Sequence, residues 1–253
     1  MDLSKVTIVL DKVRHPDNLG SALRAMKNSG LSRLTLVDPQ TTDFDRAKVM
    51  GLDASELLDR MVTTPTLKEA VGHGTLVGGT TSRRPQDRPT LWLREFAQKA
   101  SQETDAGGEV VIVFGNEQRG LSDVELDACQ VVVNIPASPA KESINLAQAV
   151  MLVSHECYVA SLAAPSQPPA DQPPGARVAT VHALYDRMRA VLLQADYLNA
   201  QNPDAILTEV TRTLERARLT QREAELWLNA FKHLARAMST PSVRREAGEP
   251  KKP

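Results

Sequence analysis

A chain of 253 residues, 42% hydrophobic and 24% charged, has room for one sizeable core and a smaller appendage, and its composition excludes disorder along the whole length. No apolar run approaches the roughly eighteen residues of a membrane span, and Met1-Asp-Leu-Ser-Lys5 carries no signal pattern, so a soluble cytoplasmic protein without membrane contact is expected. The net charge of −1 hides an asymmetry: residues 1–175 carry 17 Lys+Arg against 22 Asp+Glu and residues 176–253 carry 13 against 9, which makes the C-terminal part the better candidate for touching phosphate.

In chain order, β-branched runs at Val6–Leu10, Leu34–Val37, Met61–Thr63, Thr75–Val77, Val110–Phe114 and Val131–Ile135 read as strands. Helical patterns fall between them at Ser21–Ser29, Ala47–Leu58 with a break at Gly51, Leu67–Gly72, Leu91–Lys99, Asp123–Cys129 and Ile144–Leu162. This alternation predicts an α/β fold with a mostly parallel sheet flanked by helices over residues 1–163. Five prolines between Ala164 and Gly175 cannot sit in a helix or central strand, so 164–175 is expected to be an extended linker. Helical periods then return at Val178–Ala195, Ala205–Arg216 and Thr220–Met238, the last opened by the capping box Thr220-Gln-Arg-Glu223. They predict a helical extension over 176–240, followed by a disordered tail at 241–253.

Cys129 and Cys157 lack CxxC spacing and are expected to be buried as small hydrophobes. His155-Glu-Cys157 lies inside an apolar helical pattern with no second cluster, so no metal is expected.

Three segments concentrate polar groups where strands give way to helices, the place where open α/β sheets bind ligands. The first is Asn18-Leu-Gly-Ser-Ala-Leu-Arg24, whose Arg24 can bind a phosphate bidentately. The second is Phe114-Gly-Asn-Glu117-Gln-Arg-Gly120-Leu, which follows the most apolar strand; its Glu117 needs partners or solvent, and Arg24 would supply one. The third runs from Ile135-Pro136 to Ser143-Ile-Asn145-Leu146; Ser143 suits an N-cap and Asn145 the first helical turn. Neither the dinucleotide GxGxxG nor the Lys-Ser/Thr of a P-loop is present.

The three segments resemble the three motifs of the SpoU/TrmH group in the SPOUT class of RNA ribose methyltransferases, over roughly residues 5–160. Within the group, His15-Pro-Asp-Asn18, Gly79-Thr-Thr-Ser-Arg83 and the extension after Asn202-Pro203 look most like the TrmJ-type subfamily, which methylates the 2′-hydroxyl at position 32 of the tRNA anticodon loop, giving Cm32 or Um32. The resemblance implies a trefoil knot in the C-terminal half of the catalytic domain, a homodimer, RNA as partner and S-adenosyl-L-methionine as cofactor. It makes Arg24, Asn18, Glu117, Ser143 and Asn145 the catalytic set, with Asn18 and Glu117 orienting Arg24. The cofactor is expected against Gly79, Thr80, Thr81, Gly115, Asn116, Glu117, Gly120, Ile135, Pro136, Ser143 and Leu146, and RNA phosphates at Arg14, Arg24, Arg83 and Arg84. An unperturbed guanidinium is a poor base, so Arg24 is expected to hold the adjacent phosphate and stabilise developing alkoxide charge rather than to take the proton itself. The rivals are the same reaction on ribosomal RNA or at another tRNA position, and a non-catalytic RNA-binding protein of the same fold. An antibiotic-resistance methyltransferase is disfavoured because the catalytic strand begins by Val6.

Overall fold

The computed structural model describes residues 1–83, 85, 88–163, 173–199 and 201–239. Seven strands form one parallel sheet: β1 (Val6–Asp11), β2 (Arg33–Val37), β3 (Val62–Thr64), β4 (Leu76–Thr80), β5 (Thr90–Trp92), β6 (Val110–Phe114) and β7 (Val131–Asn134), in the order β3-β2-β1-β6-β4-β7-β5. The inner strands are buried on both faces, which is why they read as continuous apolar runs rather than as alternations.

Successive side chains divide the core between those faces. Val6, Ile8, Leu10, Val110, Ile112 and Phe114 belong to the larger cluster, under α1 (Pro16–Asn28), α5 (Leu93–Asp105) and α7 (Leu146–Leu162). Val9, Val77, Val111 and Val113 point the other way, into a cluster with α4 (Leu67–Val71), α6 (Asp123–Leu126) and the start of α8 (Val178–Gln194). The expected break at Gly51 is real: α2 (Phe44–Gly51) gives way to a 3-10 turn at Leu52–Ala54 and the short α3 (Glu56–Asp59), with Leu52 at φ +50°.

Two expectations need correction. The first helix begins at Pro16 rather than Ser21: His15 is the extended N-cap and proline, whose missing N–H costs nothing in a first turn, opens the helix. And Leu91–Trp92, read as the start of a helix, belong to the edge strand Thr90–Trp92; α5 starts after Trp92, whose backbone N–H is taken by Glu95 at 2.9 Å.

α8, α9 (Asp204–Ala217) and α10 (Gln221–Ser239) form the extension. Its entry is sewn to the sheet domain: Val178 and Ala179 donate to Gly74 and Gly72 carbonyls at 2.9 and 3.2 Å, and Gly175 donates to buried Glu103 at 3.0 Å. Arg218, left-handed at the end of α9, pairs with the same Glu103. The capping box expected at Thr220 forms, Glu223 accepting the Thr220 N–H at 2.8 Å. Of the expected linker, 164–172 lies outside the described residues, as does the expected tail at 241–253. Among the described residues, no helix is long and apolar enough to cross a membrane.

Candidate active site

The carboxyl ends of β1, β4, β6 and β7 lie side by side, and the three polar segments leave from β1, β6 and β7. After Asp11, Lys12 turns the chain at φ +51° with its N–H on the Val37 carbonyl at 2.8 Å. The loop after β6 folds on itself: the Asn116 side chain accepts the N–H groups of Gln118 and Arg119 at 3.1 and 3.0 Å, and the Gly120 N–H returns to the Asn116 carbonyl at 2.9 Å. A Cβ at Gly115 would lie 2.1 Å from the Gly120 carbonyl carbon, so the two arms of this loop meet backbone to backbone and only glycine fits.

That fold aims Glu117 at the first segment. Its carboxylate accepts the backbone N–H of Arg14 at 3.1 Å, that of His15 at 3.0 Å and the Asn18 amide at 3.1 Å. Asn18 in turn accepts from the Asn145 amide at 3.0 Å. One hydrogen-bonded chain, Glu117–Asn18–Asn145, therefore joins all three segments. Burial alone would push the Glu117 carboxyl up, but the Asn18 amide and the backbone N–H groups of Glu117 itself, His15 and Arg14 outweigh it and hold it below its ordinary range. Glu117 is ionised at neutral pH.

Asn145 has a second task that was expected of Ser143. It is the N-cap of α7, its side-chain oxygen accepting the N–H groups of Ala147 and Gln148 at 2.9 and 3.3 Å, while Ser143 is exposed two residues upstream. The helix starts at Leu146 rather than Ile144.

Arg24 stands apart from this chain, contrary to expectation. It is exposed and makes no hydrogen bond or ion pair with any described residue, and Glu117 is committed to Asn18 and the Arg14–His15 backbone. The reason is helical: with α1 starting at Pro16, Asn18 and Arg24 are six positions apart and about 120° away around the helix. Of the other expected RNA contacts, Arg14 reaches Gln118 at 3.1 Å. Arg83 donates to the Leu121 carbonyl at 2.6 Å and pairs with Asp123 at 3.1 Å, tying the loop after β4 to the one after β6. Arg84 lies outside the described residues.

The expected cofactor residues also gather at these strand ends. Gly79 is buried where a Cβ would press on Cys129 and Leu126 at 2.9 Å. The Thr80 hydroxyl is spent on the Val113 carbonyl at 2.9 Å, and the Thr81 N–H on Val133 at 3.2 Å. Asn134 holds the same loop by donating to the Thr81 and Ser82 carbonyls at 2.9 and 3.2 Å. Leu146 is buried, Ile135 packs against the core beside it, and Pro136 is exposed. Gly120, at φ +68°, has nothing within 4 Å of where a Cβ would stand. Open space beside a backbone loop, with apolar side chains on the neighbouring loop, fits a donor carrying an adenine ring.

A second polar node was not foreseen. Glu125 accepts both guanidinium nitrogens of Arg119 at 2.9 and 2.7 Å, the Lys12 ammonium at 3.0 Å and the Ser122 N–H at 2.7 Å. Burial opposes its ionisation, but Arg119, Ser122 and Lys12 prevail and keep it far below the usual carboxylate range. Beneath it, Asp11 is 1% exposed, has no hydrogen-bond donor on either oxygen, and is pushed up to about 6 by burial and by Glu125. The only sequence signal was Ser122-x-x-Glu125, which reads as an ordinary capping box. Cys129 and Cys157 are free thiols pushed up to about 12 by burial.

Comparison with known proteins bears on this geometry directly. Residues 5–155 match the SpoU rRNA Methylase family. A tRNA (cytidine/uridine/adenosine-2′-O-)-methyltransferase TrmJ from Pseudomonas aeruginosa (strain UCBPP-PA14) is 33% identical over 234 residues, covering 88% of this chain and 91% of that protein. The crystal structure of TrmJ from Z. mobilis ZM4 superposes with a TM-score of 0.77 at 26% identity, covering 90% of this chain and 98% of that one. An AdoMet-bound rRNA methyltransferase from Sinorhizobium meliloti, 24% identical with a TM-score of 0.52 over 63% of this chain and 57% of its own, shares the fold. With its three motif segments joined at one end of a seven-stranded parallel sheet, the chain belongs to the SpoU methylase family, as a homologue of the TrmJ tRNA 2′-O-methyltransferases over most of its length.

Proposed function

We propose that this protein transfers a methyl group from S-adenosyl-L-methionine to a ribose 2′-hydroxyl of tRNA at position 32 of the anticodon loop. The observation that carries the reading is the Glu117–Asn18–Asn145 chain, which binding alone would not require. The TrmJ relatives, matched along both the sheet domain and the extension, favour tRNA over ribosomal RNA.

Methyl transfer to a hydroxyl is an in-line displacement, so the protein has to align the reactants and ease loss of a proton. The cofactor supplies the electrophilic methyl group. The strand-end loops at Gly79–Thr81, Gly115–Gly120 and Ile135–Leu146 would hold it, through backbone groups and the apolar Ile135 and Leu146. Thr80 and Asn134 keep the first loop in place, and Glu117 locks the second against α1. Arg24, unengaged and exposed, is the cation available to the phosphate beside the target ribose and to negative charge growing on its 2′-oxygen. The proton passes to that phosphate or to water. Ser143, exposed at the mouth of the α7 N-terminus, supports the ribose.

The same reading includes a homodimer, the trefoil knot and a cytoplasmic location beside the tRNA pool. α7 presents a largely apolar outer face: Met151, Leu152, Tyr158, Val159 and Leu162 are exposed there, with His155 among them. A helix of that kind fits burial against a second copy.

The test is transfer of labelled methyl from S-adenosylmethionine to unmodified tRNA, with mapping of the modified ribose. Wild type labels position 32; Arg24→Ala keeps its melting temperature and loses at least ~100-fold in kcat/KM. Label on ribosomal RNA but not on tRNA would overturn the substrate, and undiminished labelling by Arg24→Ala would remove Arg24 from the reaction.

A further inference from the structure

A second concave feature lies at the opposite end of the sheet. Between the amino ends of β4 and β7 and the helices of the extension is a cavity of about 780 Å³. Its floor is apolar, with Leu76, Val131 and Val178, and its walls carry Arg88, Lys99, Arg212, Arg216 and Arg218 against Asp127 and Glu215.

The described ion pairs leave Lys99 and Arg216 without a carboxylate of their own. Arg88 is paired with Asp127 at 2.7 Å, and Arg218 with Glu103. Glu103, one helical turn from Lys99 on α5, is thereby engaged twice over, by Arg218 and by the Gly175 N–H. Lys99 is left half-buried with no ion pair or hydrogen bond to any described residue and with the Arg218 guanidinium as its neighbour; burial first, and then Arg218, pull its pKa down against the opposing field of Glu103. Among the described residues Arg216 has one long contact, to the Thr213 hydroxyl at 3.4 Å. Glu215, facing Arg212 and Arg88, is pushed up by burial and is a weak counter-charge. A cation held out of water beside another cation is unfavourable until an anion joins them.

We propose that this cleft binds phosphate groups of the RNA backbone, with Lys99 and Arg216 as ligands and Arg218, aimed by Glu103, closing the site. The proposal rests on RNA being the substrate. Phosphate suits the donors, since a guanidinium fork and a point-charge ammonium lining one cleft match its several acceptor oxygens. RNA is favoured over a small phosphate because the cleft borders α9, in the part of the chain whose charge is +4 while residues 1–175 carry −5. The cleft is on the far side of the sheet from Glu117, so it adds affinity away from the reacting ribose and acts on KM rather than kcat.

The experiment compares full-length wild type, Lys99→Gln/Arg216→Gln and Lys99→Arg. It reads tRNA binding by fluorescence anisotropy across a salt series, together with steady-state methylation. The double variant should bind tRNA ~10-fold or more weakly, with a salt slope shallower by about one per cation removed. Its KM for tRNA should rise by a similar factor at unchanged kcat and unchanged melting temperature, and Lys99→Arg should bind like wild type. An unaltered affinity and slope in the double variant overturns the proposal. So does inorganic pyrophosphate binding that is lost in the double variant while tRNA affinity stays the same, since the cleft then serves a small anion. Failure of wild type to methylate any RNA counts against the proposed reaction, and the binding series still decides whether the cleft holds RNA.

Discussion

Asp11 ends β1 and Glu117 follows the adjacent β6, and the protein shifts the two carboxyls in opposite directions. Glu117 is stabilised as an anion by the N–H groups that surround it, so its contribution to stability is present above its ordinary 4.5 and is lost as pH falls through its depressed folded value. Asp11 has no hydrogen-bond donor and only the Lys12 ammonium, 3.7 Å away, to offset burial and Glu125, and its folded value of about 6 stands above its ordinary 3.8. Its contribution is complete below 3.8 and lost as pH rises through 6, so at neutral pH its ionisation works against the fold. Asp11→Asn should therefore raise the melting temperature at pH 8 by several degrees, about 1–3 kcal/mol, and by little at pH 4. Thermal scans at the two pH values check this; an equal change at both would mean that Asp11 is not titrating in this interval. Glu117, Asn18 and Asn145 were each visible in the sequence as polar residues at strand-to-helix junctions. Their partners were not, because hydrogen bonds spanning 99 and 127 positions depend on which strands become neighbours. Lys12 stayed hidden for the same reason, 113 positions from the carboxylate it shares with Arg119.

At the scale of elements, the starts of α1 and α7 decide the site. Starting α1 at Pro16 brings Asn18 into the first turn and turns Arg24 away, and the sequence pattern missed this because the apolar period becomes regular only further along. Asn145 serves as cap and as donor at once. Asn18 has a single satisfied orientation, its amide nitrogen toward Glu117 and its oxygen toward the Asn145 amide, so it cannot flip to accommodate a new acceptor. Asn145→Ala should cost about 1 kcal/mol through the lost cap as well as activity. Asn145→Asp should keep the cap and the melting temperature, yet set an acceptor against Asn18 and lower kcat at least ~10-fold. A wild-type kcat in Asn145→Asp would show that Asn145 matters only as a cap. The edge strand β5 escaped because three residues beside Pro89 offer no alternation to read, whereas Val110–Phe114 declared itself by five consecutive apolar positions.

For the whole molecule, the alternation of strands and helices was enough to expect a parallel sheet, but not its order, which is fixed by contacts remote in sequence. The docking of the extension was equally hidden, since Glu103 and Arg218 look like ordinary surface charges until folding brings them together. If α7 is the meeting face of two copies, Leu152→Glu with Val159→Glu should convert a dimer to a monomer in sedimentation velocity without changing the far-UV spectrum; an unchanged dimer would move the interface elsewhere. The strand order has a further consequence, for the time course of assembly. β6 enters between β1 and β4, joining positions roughly a hundred residues apart, and β7 enters between β4 and β5, two strands made earlier. The middle of the sheet is thus completed by the last strands to leave the ribosome. Until they arrive β1 and β4 each keep an open edge, so this fold combines high contact order with a long interval in which nascent strands must be kept from pairing with the wrong partner.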